Sequence, residues 1–312
     1  MAKIKKKSVL VVLGGNSRER EISILTGKAC AKAIKDLNYK VKIFDPKKNN
    51  FENINKKEVD IIFNALHGRE GEDGIAQSYF EYLKIPYTHS GIISSMNAMD
   101  KSISKKIFIK NKILTPRYII TNLLANETNK LRKKINKNKI YFPIVIKPLN
   151  EGSSIGVNIC ENFKQLNMKF KKLKKRYSEL MIEEFIAGQE IQVAVLNTKA
   201  LGAIELKPKR EFYDYKAKYL KSAKTIHVMP AQINKKDYKR ILQIAEKTHL
   251  ALGCRGVSRC DFKFHKNKFY LLEINTQPGM TNLSLVPEIA KYCGLSFKNL
   301  INKILKDASI NK

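Results

Sequence analysis

The densest concentration of chemistry in this chain lies between Arg259 and Asn275. An Arg259-Cys260-Asp261 run and a Glu273-Ile274-Asn275 run flank a short polar stretch centred on Asn267. Folded as two antiparallel strands about Asn267, the segment sets Asp261 opposite Glu273 and Arg259 opposite Asn275. Side chains alternate along a strand and directly opposed residues share a face. Arg259, Asp261, Glu273 and Asn275 then project together, while Cys260, Phe262, Phe264, Tyr270, Leu272 and Ile274 are expected on the other face. Two carboxylates and an amide oxygen suit a hard cation such as Mg²⁺ with phosphate oxygens as its remaining ligands. An Arg beside them can stabilise a developing oxyanion or a transferred phosphoryl group. The plainer alternative is the solvated polar face of an amphipathic hairpin.

Other candidates are weaker when taken singly. Gly14-Gly15-Asn16-Ser17-Arg18-Glu19 sits at a strand-to-helix turn, where free backbone N–H groups favour an anion. The same spacing of Asn16 and Glu19 reads equally as a helix-capping pair. His67 ends an apolar run and opens His67-Gly-Arg-Glu-Gly71-Glu-Asp-Gly74, which by composition is a tight acidic turn. Lys147 ends the strand-like Phe142–Lys147 and leads to Gly152-Ser153-Ser154-Ile-Gly156, a flexible glycine-bounded loop. A lysine there suits a phosphate as a point charge. Met181–Ile186 reads as a half-buried strand and its turn, and Phe212–Tyr219 as an aromatic-basic loop that could stack on RNA bases.

These residues need a frame. Apolar runs at Ser8–Leu13, Lys40–Phe44 and Asp60–Leu66, with helical periodicity over Ile22–Leu37 and Gln77–Leu83 and an extended piece from Pro86, give a βαβ rhythm. That rhythm predicts a small open parallel sheet with helices on its faces. A helix over Lys101–Lys110, a Lys/Asn-rich helix, a strand over Ile140–Lys147, a basic helix over Phe163–Tyr177 and a strand over Leu180–Ile186 follow. From Gly188 come strands, a Lys-laden loop (Lys207–Lys224), a helix near Lys236–Leu252, the hairpin, and a terminal helix. Three consecutive modules are expected within the 312 residues.

Composition narrows the class. Lys and Arg total 60 against 28 Asp and Glu, a formal net charge of +32. Only ten of the 60 are Arg, while Asn appears 26 times, which fits Lys- and Asn-rich codon usage better than a surface built to read nucleic acid. The five cysteines are odd in number and show neither a C-x-x-C pair nor metal-ligand spacing, so a reducing cytoplasm is expected. Lys3–Lys7 followed by Ser8–Leu13 imitates a signal peptide, but the apolar run is short and leads into Gly-Gly and charged residues. A buried first strand is the better reading, and no transmembrane helix is expected.

Past Asn275 the chain continues Thr276-Gln-Pro-Gly279-Met-Thr-Asn-Leu-Ser284-Leu285. With this stretch the sequence resembles the D-alanine–D-alanine ligases of the ATP-grasp superfamily. The run from His67 to Gly74 is similar to that family's H-G-x-x-G-E-D-G signature. Arg259-x-Asp261 followed by Glu273-x-Asn275-Thr-x-Pro-Gly279 is similar to its second signature. The resemblance implies an α/β, three-domain ATP-grasp ligase with an N-terminal open parallel-sheet (preATP-grasp) domain: residues 1–100, a central lid domain 101–187, and a C-terminal catalytic domain 188–312. It implies ATP-dependent ligation of two D-alanines through an acylphosphate, for peptidoglycan synthesis in a bacterial cytoplasm. Glu19, Ser153, Tyr219 and Arg259 would then be catalytic, with His67, Ser284 and Leu285 binding substrate. Lys101, Lys147, Glu183, Glu184, Ile186, Glu190 and Lys218 would bind ATP. Asp261, Glu273 and Asn275 would hold two Mg²⁺ (or Mn²⁺), with K⁺ as an accessory ion left open. A homodimer, no specific nucleic-acid partner and no membrane insertion are implied as well.

The chain departs from the pattern of many relatives at His89, Glu184 and Lys263. The Glu184 departure implies an adenine contact through the backbone, and Lys263 is expected to lie beyond the ligand cluster. Two alternatives stay open: an ATP-grasp ligase taking D-lactate or D-serine second, and a basic nucleic-acid-binding protein.

Overall fold

The computed structural model describes residues 6–207, 225–281 and 283–310. Its first sheet is parallel, in the order β2-β1-β3 (β1 Ser8–Val12, β2 Lys40–Phe44, β3 Ile61–Asn64). β1 is the central strand and Val9 to Val12 are buried, so the signal-like run is core. Helix α1 (Arg20–Asp36) and α2 (Ile75–Leu83) connect these elements, and Tyr87, just past Pro86, bridges to Ile62 as the expected extended piece. Helix α3 (Ile92–Met99) follows; its uncharged, Ser-rich sequence gave no helical signal. Helix α4 (Lys101–Lys110) starts under an Asp100 cap, whose side chain accepts from Ser102 and Ile103 N–H.

The second sheet, β4-β7-β5-β6, is antiparallel: β4 Tyr118–Thr121, β5 Ile144–Pro148, β6 Asn158–Cys160, β7 Leu180–Glu184. Helices α5 (Thr128–Lys137) and α6 (Phe163–Lys174) bury Leu131, Ile135, Leu166 and Phe170 in its core. The strand expected over Ile140–Lys147 begins later, at Ile144. The third sheet, β10-β9-β8-β11-β12, comprises β8 Gln189–Leu196, β9 Lys199–Lys207, β10 Ile226–Val228, β11 Val257–His265 and β12 Lys268–Asn275. Gly188 is obligatory where the chain enters it, because an added Cβ would lie 2.3 Å from the Phe264 carbonyl oxygen. Helix α7 (Lys235–Ala251) covers one face. The expected terminal helix is two, α8 (Leu285–Tyr292) and α9 (Phe297–Lys306), broken at Gly294.

The β11–β12 hairpin has the expected pairs at its open end and an altered turn end, centred between Lys266 and Asn267 rather than on Asn267. Lys266 and Asn267 both take positive φ (46° and 58°), the two-residue turn whose twist matches its strands. Arg259 pairs with Asn275 and Asp261 with Glu273, as the spacing predicts. A bulge after Asp261 then shifts the register, so Phe262 faces Leu271 and Lys263 faces Tyr270. Leu271 and Phe269 are therefore buried in the core, where Leu272 and Tyr270 were expected. One apolar cluster joins the first and last thirds of the chain, from Val9, Val11 and Ile34 to Ala194, Ile204, Ile289 and Ile304. That shared core packs α1 and the first sheet against the third sheet.

Candidate functional site

The capping reading of Glu19 does not hold, because its side chain makes no cap hydrogen bond. Its carboxylate instead accepts from the Ser153 hydroxyl, across 134 residues of sequence. Glu19 is buried, and two glycines make room for it. A Cβ at Gly68 (φ +72°) would stand 2.8 Å from Glu19 Oε2, and one at Gly152 3.0 Å away. Ser153 and Ser154 hold left-handed backbone (φ 48° and 60°), an uncommon conformation for non-glycine residues that clusters at functional loops. His67 sits next to this pair, its Nδ1 3.0 Å from Glu72 and its Nε2 3.1 Å from Thr26. Burial pushes the Glu72 carboxyl up, His67 opposes that shift, and nearby Glu19 adds to it.

On the hairpin face, Arg259 grips Asp261 with Nε and Nη2 at 2.7 and 2.8 Å. Lys101, at the start of α4, reaches Glu273 at 3.6 Å and donates to the Glu151 carbonyl at 2.7 Å. Burial lowers the Lys101 pKa, Glu273 opposes the shift, and neighbouring Lys147 adds to it. Asn275 Oδ1 accepts from Gln277 N–H at 2.7 Å, and Gln277 is itself tied to Asn64 of the first sheet at 2.8 Å. The two carboxylates and the amide oxygen are a hard-oxygen donor set, now balanced by Arg259 and Lys101, so they fit a divalent cation in kind.

Behind this face lies a buried charge network. Lys147 donates to Glu183, and Lys105, one turn after Lys101, pairs with the same carboxylate at 2.8 Å. Lys105 is fully buried and also donates to Thr115 Oγ1 at 2.7 Å. Burial brings its pKa down to about 8. Burial alone would push Glu183 up, but Lys105 and Lys147 together hold it below the ordinary carboxylate range. Glu184 pairs with Arg117, whose Nε lies at 2.8 Å. Lys263 pairs with Glu190 at 3.0 Å, one register step beyond Asp261, so it lies past the ligand cluster as expected.

A single cleft is lined by Glu19, His67, Lys101, Ser153, Arg259, Glu273 and Asn275, with Glu72, Glu151 and Gly279 beside them. Ser284 stands just behind, at the N-terminus of α8: its hydroxyl bonds Thr281 at 2.9 Å rather than the helix, and a Cβ on Gly279 would meet it at 2.9 Å. Leu285 is buried next to it, and half-buried Ile186 lies within the connection between β7 and β8. Lys218 and Tyr219 lie outside the described residues. Sequence reasoning missed Glu72, Glu151 and Lys105. The signal for Lys105 was its four-residue spacing from Lys101, which puts both ammonium groups on one helix face.

Two family models match the chain: one described as the D-ala D-ala ligase N-terminus, over residues 44–90, and one as the D-ala D-ala ligase C-terminus, over residues 112–306. The chain is 58% identical over 306 residues to the D-alanine–D-alanine ligase of Pelagibacter ubique, covering 98% of this chain and 99% of that protein. It is 43% identical over 308 residues to that of Rickettsia typhi, covering 97% and 92%. Among solved structures, D-alanine–D-alanine ligase from Bacillus anthracis complexed with ATP superposes with a TM-score of 0.81 at 30% identity, covering 96% of this chain and 97% of that one. VanG D-Ala:D-Ser ligase from Enterococcus faecalis gives a TM-score of 0.81 at 29% identity, covering 97% and 99%.

Proposed function

From the premise that this chain belongs to the D-alanine–D-alanine ligase family, we propose that its reaction runs in the cleft between the Glu19–Ser153 pair and the Arg259–Asn275 hairpin face. The activity is the ATP-dependent joining of two D-alanines, for peptidoglycan precursor synthesis. The observation that carries the site is the convergence of all three sheets on one cleft. Glu19 comes from beside the first sheet, Ser153 from the loop after β5, and Arg259, Glu273 and Asn275 from the third.

The first D-alanine enters with its ammonium toward Glu19, and its carboxylate oxygen attacks the γ-phosphorus of ATP. ADP departs and an acylphosphate forms. The amine of the second D-alanine, having lost a proton, attacks the acyl carbon, and phosphate leaves with the bonding electron pair. Such chemistry proceeds by positioning and charge neutralisation. Lys101, Lys147 and Lys218 bring positive charge to the phosphates, and Arg259 holds the oxyanion of the tetrahedral intermediate. Ser153 and Tyr219 orient the reactants, His67 completes the first-substrate pocket, and Ser284 with the Leu285 N–H holds the second substrate's carboxylate. Glu183, Glu184, Ile186 and Glu190 bind the adenine and ribose. Asp261, Glu273 and Asn275 would hold Mg²⁺ or Mn²⁺, which when bound supplies charge neutralisation at the phosphate oxygens. We further propose a homodimer working in a bacterial cytoplasm; no helix among the described residues is long and apolar enough to cross a membrane.

The test is ADP release with D-alanine alone, with D-alanine plus D-serine, and with D-alanine plus D-lactate, with products separated by mass. D-alanyl-D-alanine should dominate at neutral pH. The likeness to a D-Ala:D-Ser ligase is the specific reason to include D-serine; a dominant mixed product would move the second-substrate assignment.

A further inference from the structure

Register on the third sheet arranges its catalytic face in rows. One row runs Asn275, Arg259, Ala194, Gly202; the next runs Glu273, Asp261, Gln192, Ile204; and in the one beyond it Lys263 faces Glu190. Directly opposed antiparallel residues share a face with Cβ atoms about 4.5–5.5 Å apart. Gln192 therefore flanks Asp261 on one side as Glu273 does on the other. The charged neighbours have partners: Asp261 is gripped by Arg259, Glu273 is reached by Lys101, and Glu190 is paired with Lys263. Gln192 differs from all of them. It is 1% exposed, and neither its Oε1 nor its Nε2 has a hydrogen-bond partner among the described residues.

A primary amide carries two N–H donors and a carbonyl acceptor, and burying all of them unpaired is destabilising. Its other row neighbour, Ile204, has nothing to offer it. A neutral donor at this point has a chemical use. On a face crowded by Asp261, Glu273 and Glu190, it can receive an anionic ligand without adding another negative charge.

We propose that Gln192 is a further nucleotide-binding residue, its Nε2–H donating to a polyphosphate oxygen held beside Asp261. The polyphosphate must pass between the Asp261–Glu273 end and the Glu190 end of this face, and Gln192 stands between them on β8. This rests on the reading of Asp261 and Glu273 as the phosphate end of the site.

The discriminating experiment uses full-length Gln192→Leu, similar in size and without the amide, and Gln192→Glu, similar in shape with a negative charge. Two quantities are read: the unfolding temperature without ligand, and the affinity for a non-hydrolysable ATP analogue with Mg²⁺ by calorimetry. Gln192→Leu should melt at the wild-type temperature or about 2–4 °C above it, since an unpaired buried amide has been removed. It should nevertheless bind the analogue about 10-fold or more weakly, which corresponds to 1.4 kcal/mol, and Gln192→Glu should bind it more weakly still. Analogue affinity within 2-fold of wild type overturns the proposal. So does a lower melting temperature for Gln192→Leu with unchanged affinity, which would assign the amide to a structural water. If wild type itself fails to bind the analogue, the phosphate-end reading fails rather than this residue's role.

Discussion

Removing Lys105 gives a test of the buried charge network that needs no substrate. Its ammonium is wholly buried, and burial brings its pKa from 10.5 down to about 8. The groups facing it are Glu183 on β7, Lys147 on β5, Glu273 on β12 and the Tyr118 ring on β4, 5.1 Å away. The unfolded chain keeps the ordinary lysine value, so between the two pKa values it binds more protons than the folded chain. Stability must then rise with pH through that window. The penalty for burying the charged form is fully present below about pH 8, shrinks as the ammonium gives up its proton, and is gone above about pH 10.5. Its full size is about 3 kcal/mol, of which about 2 kcal/mol is recovered between pH 7.5 and 9.5. Lys105→Met has no such group. Urea unfolding of both proteins at half-unit pH steps should show wild type gaining about 2 kcal/mol on the variant across that range. Other titrations largely cancel in the comparison. A difference that stays flat within about 0.5 kcal/mol, or slopes the other way, refutes the assignment of a depressed lysine to this site.

Three further outcomes follow from the same geometry. Glu273→Gln should fold normally yet lose turnover by at least ~10²-fold, with partial recovery at high Mg²⁺, as ADP release across a Mg²⁺ titration will report; near-wild-type rates at ordinary Mg²⁺ would remove the hairpin face from the metal role. Gly68→Ala should cost roughly 1 kcal/mol of stability through its left-handed backbone. Because its Cβ would meet Glu19 Oε2 at 2.8 Å, kcat/KM for D-alanine should also fall about 10-fold or more, and an unchanged kcat/KM would show that Glu19 is not held for substrate. The +32 charge should give only weak RNA binding at physiological salt, with a steep log–log salt slope and no sequence preference; filter binding that finds sub-micromolar, sequence-selective affinity would revive a nucleic-acid role.

The sequence made the parallel first sheet legible because β1 and β3 are short apolar runs bounded by turn residues and charge. It made the catalytic end of the hairpin legible through the spacing of Arg259, Asp261, Glu273 and Asn275 about Asn267, although the two-residue turn alone would set Asp261 opposite Leu272 and the bulge is what restores Glu273. The missed helix α3 shows the converse. Ser94, Ser95 and Ala98 are buried there by tertiary packing, so its buried face is small and polar rather than an apolar stripe. The capping reading of Glu19 failed for a related reason. A local pattern three residues wide cannot report that Ser153, far along the chain, competes for the same carboxylate.

The bulge after Asp261 shows where such reading has to stop. One extra residue on β12 leaves Asp261 opposite Glu273, so the site's geometry is untouched, but it exchanges Tyr270 and Leu272 for Phe269 and Leu271 in the core. Either alternation would have buried two large side chains, so hydrophobic pattern alone could not choose between them. What decides is a relation between elements. Phe269 stacks on Phe264 at 4.4 Å under the Arg240 guanidinium, and Leu271 N–H reaches the Leu114 carbonyl oxygen at 2.8 Å. The hairpin thereby reads two constraints at once: charge opposition at its catalytic end, and packing against α7 and the chain entering β4 at its turn end. The bulge lets both be met, and it sits immediately beside the residue with the most demanding geometry, Asp261.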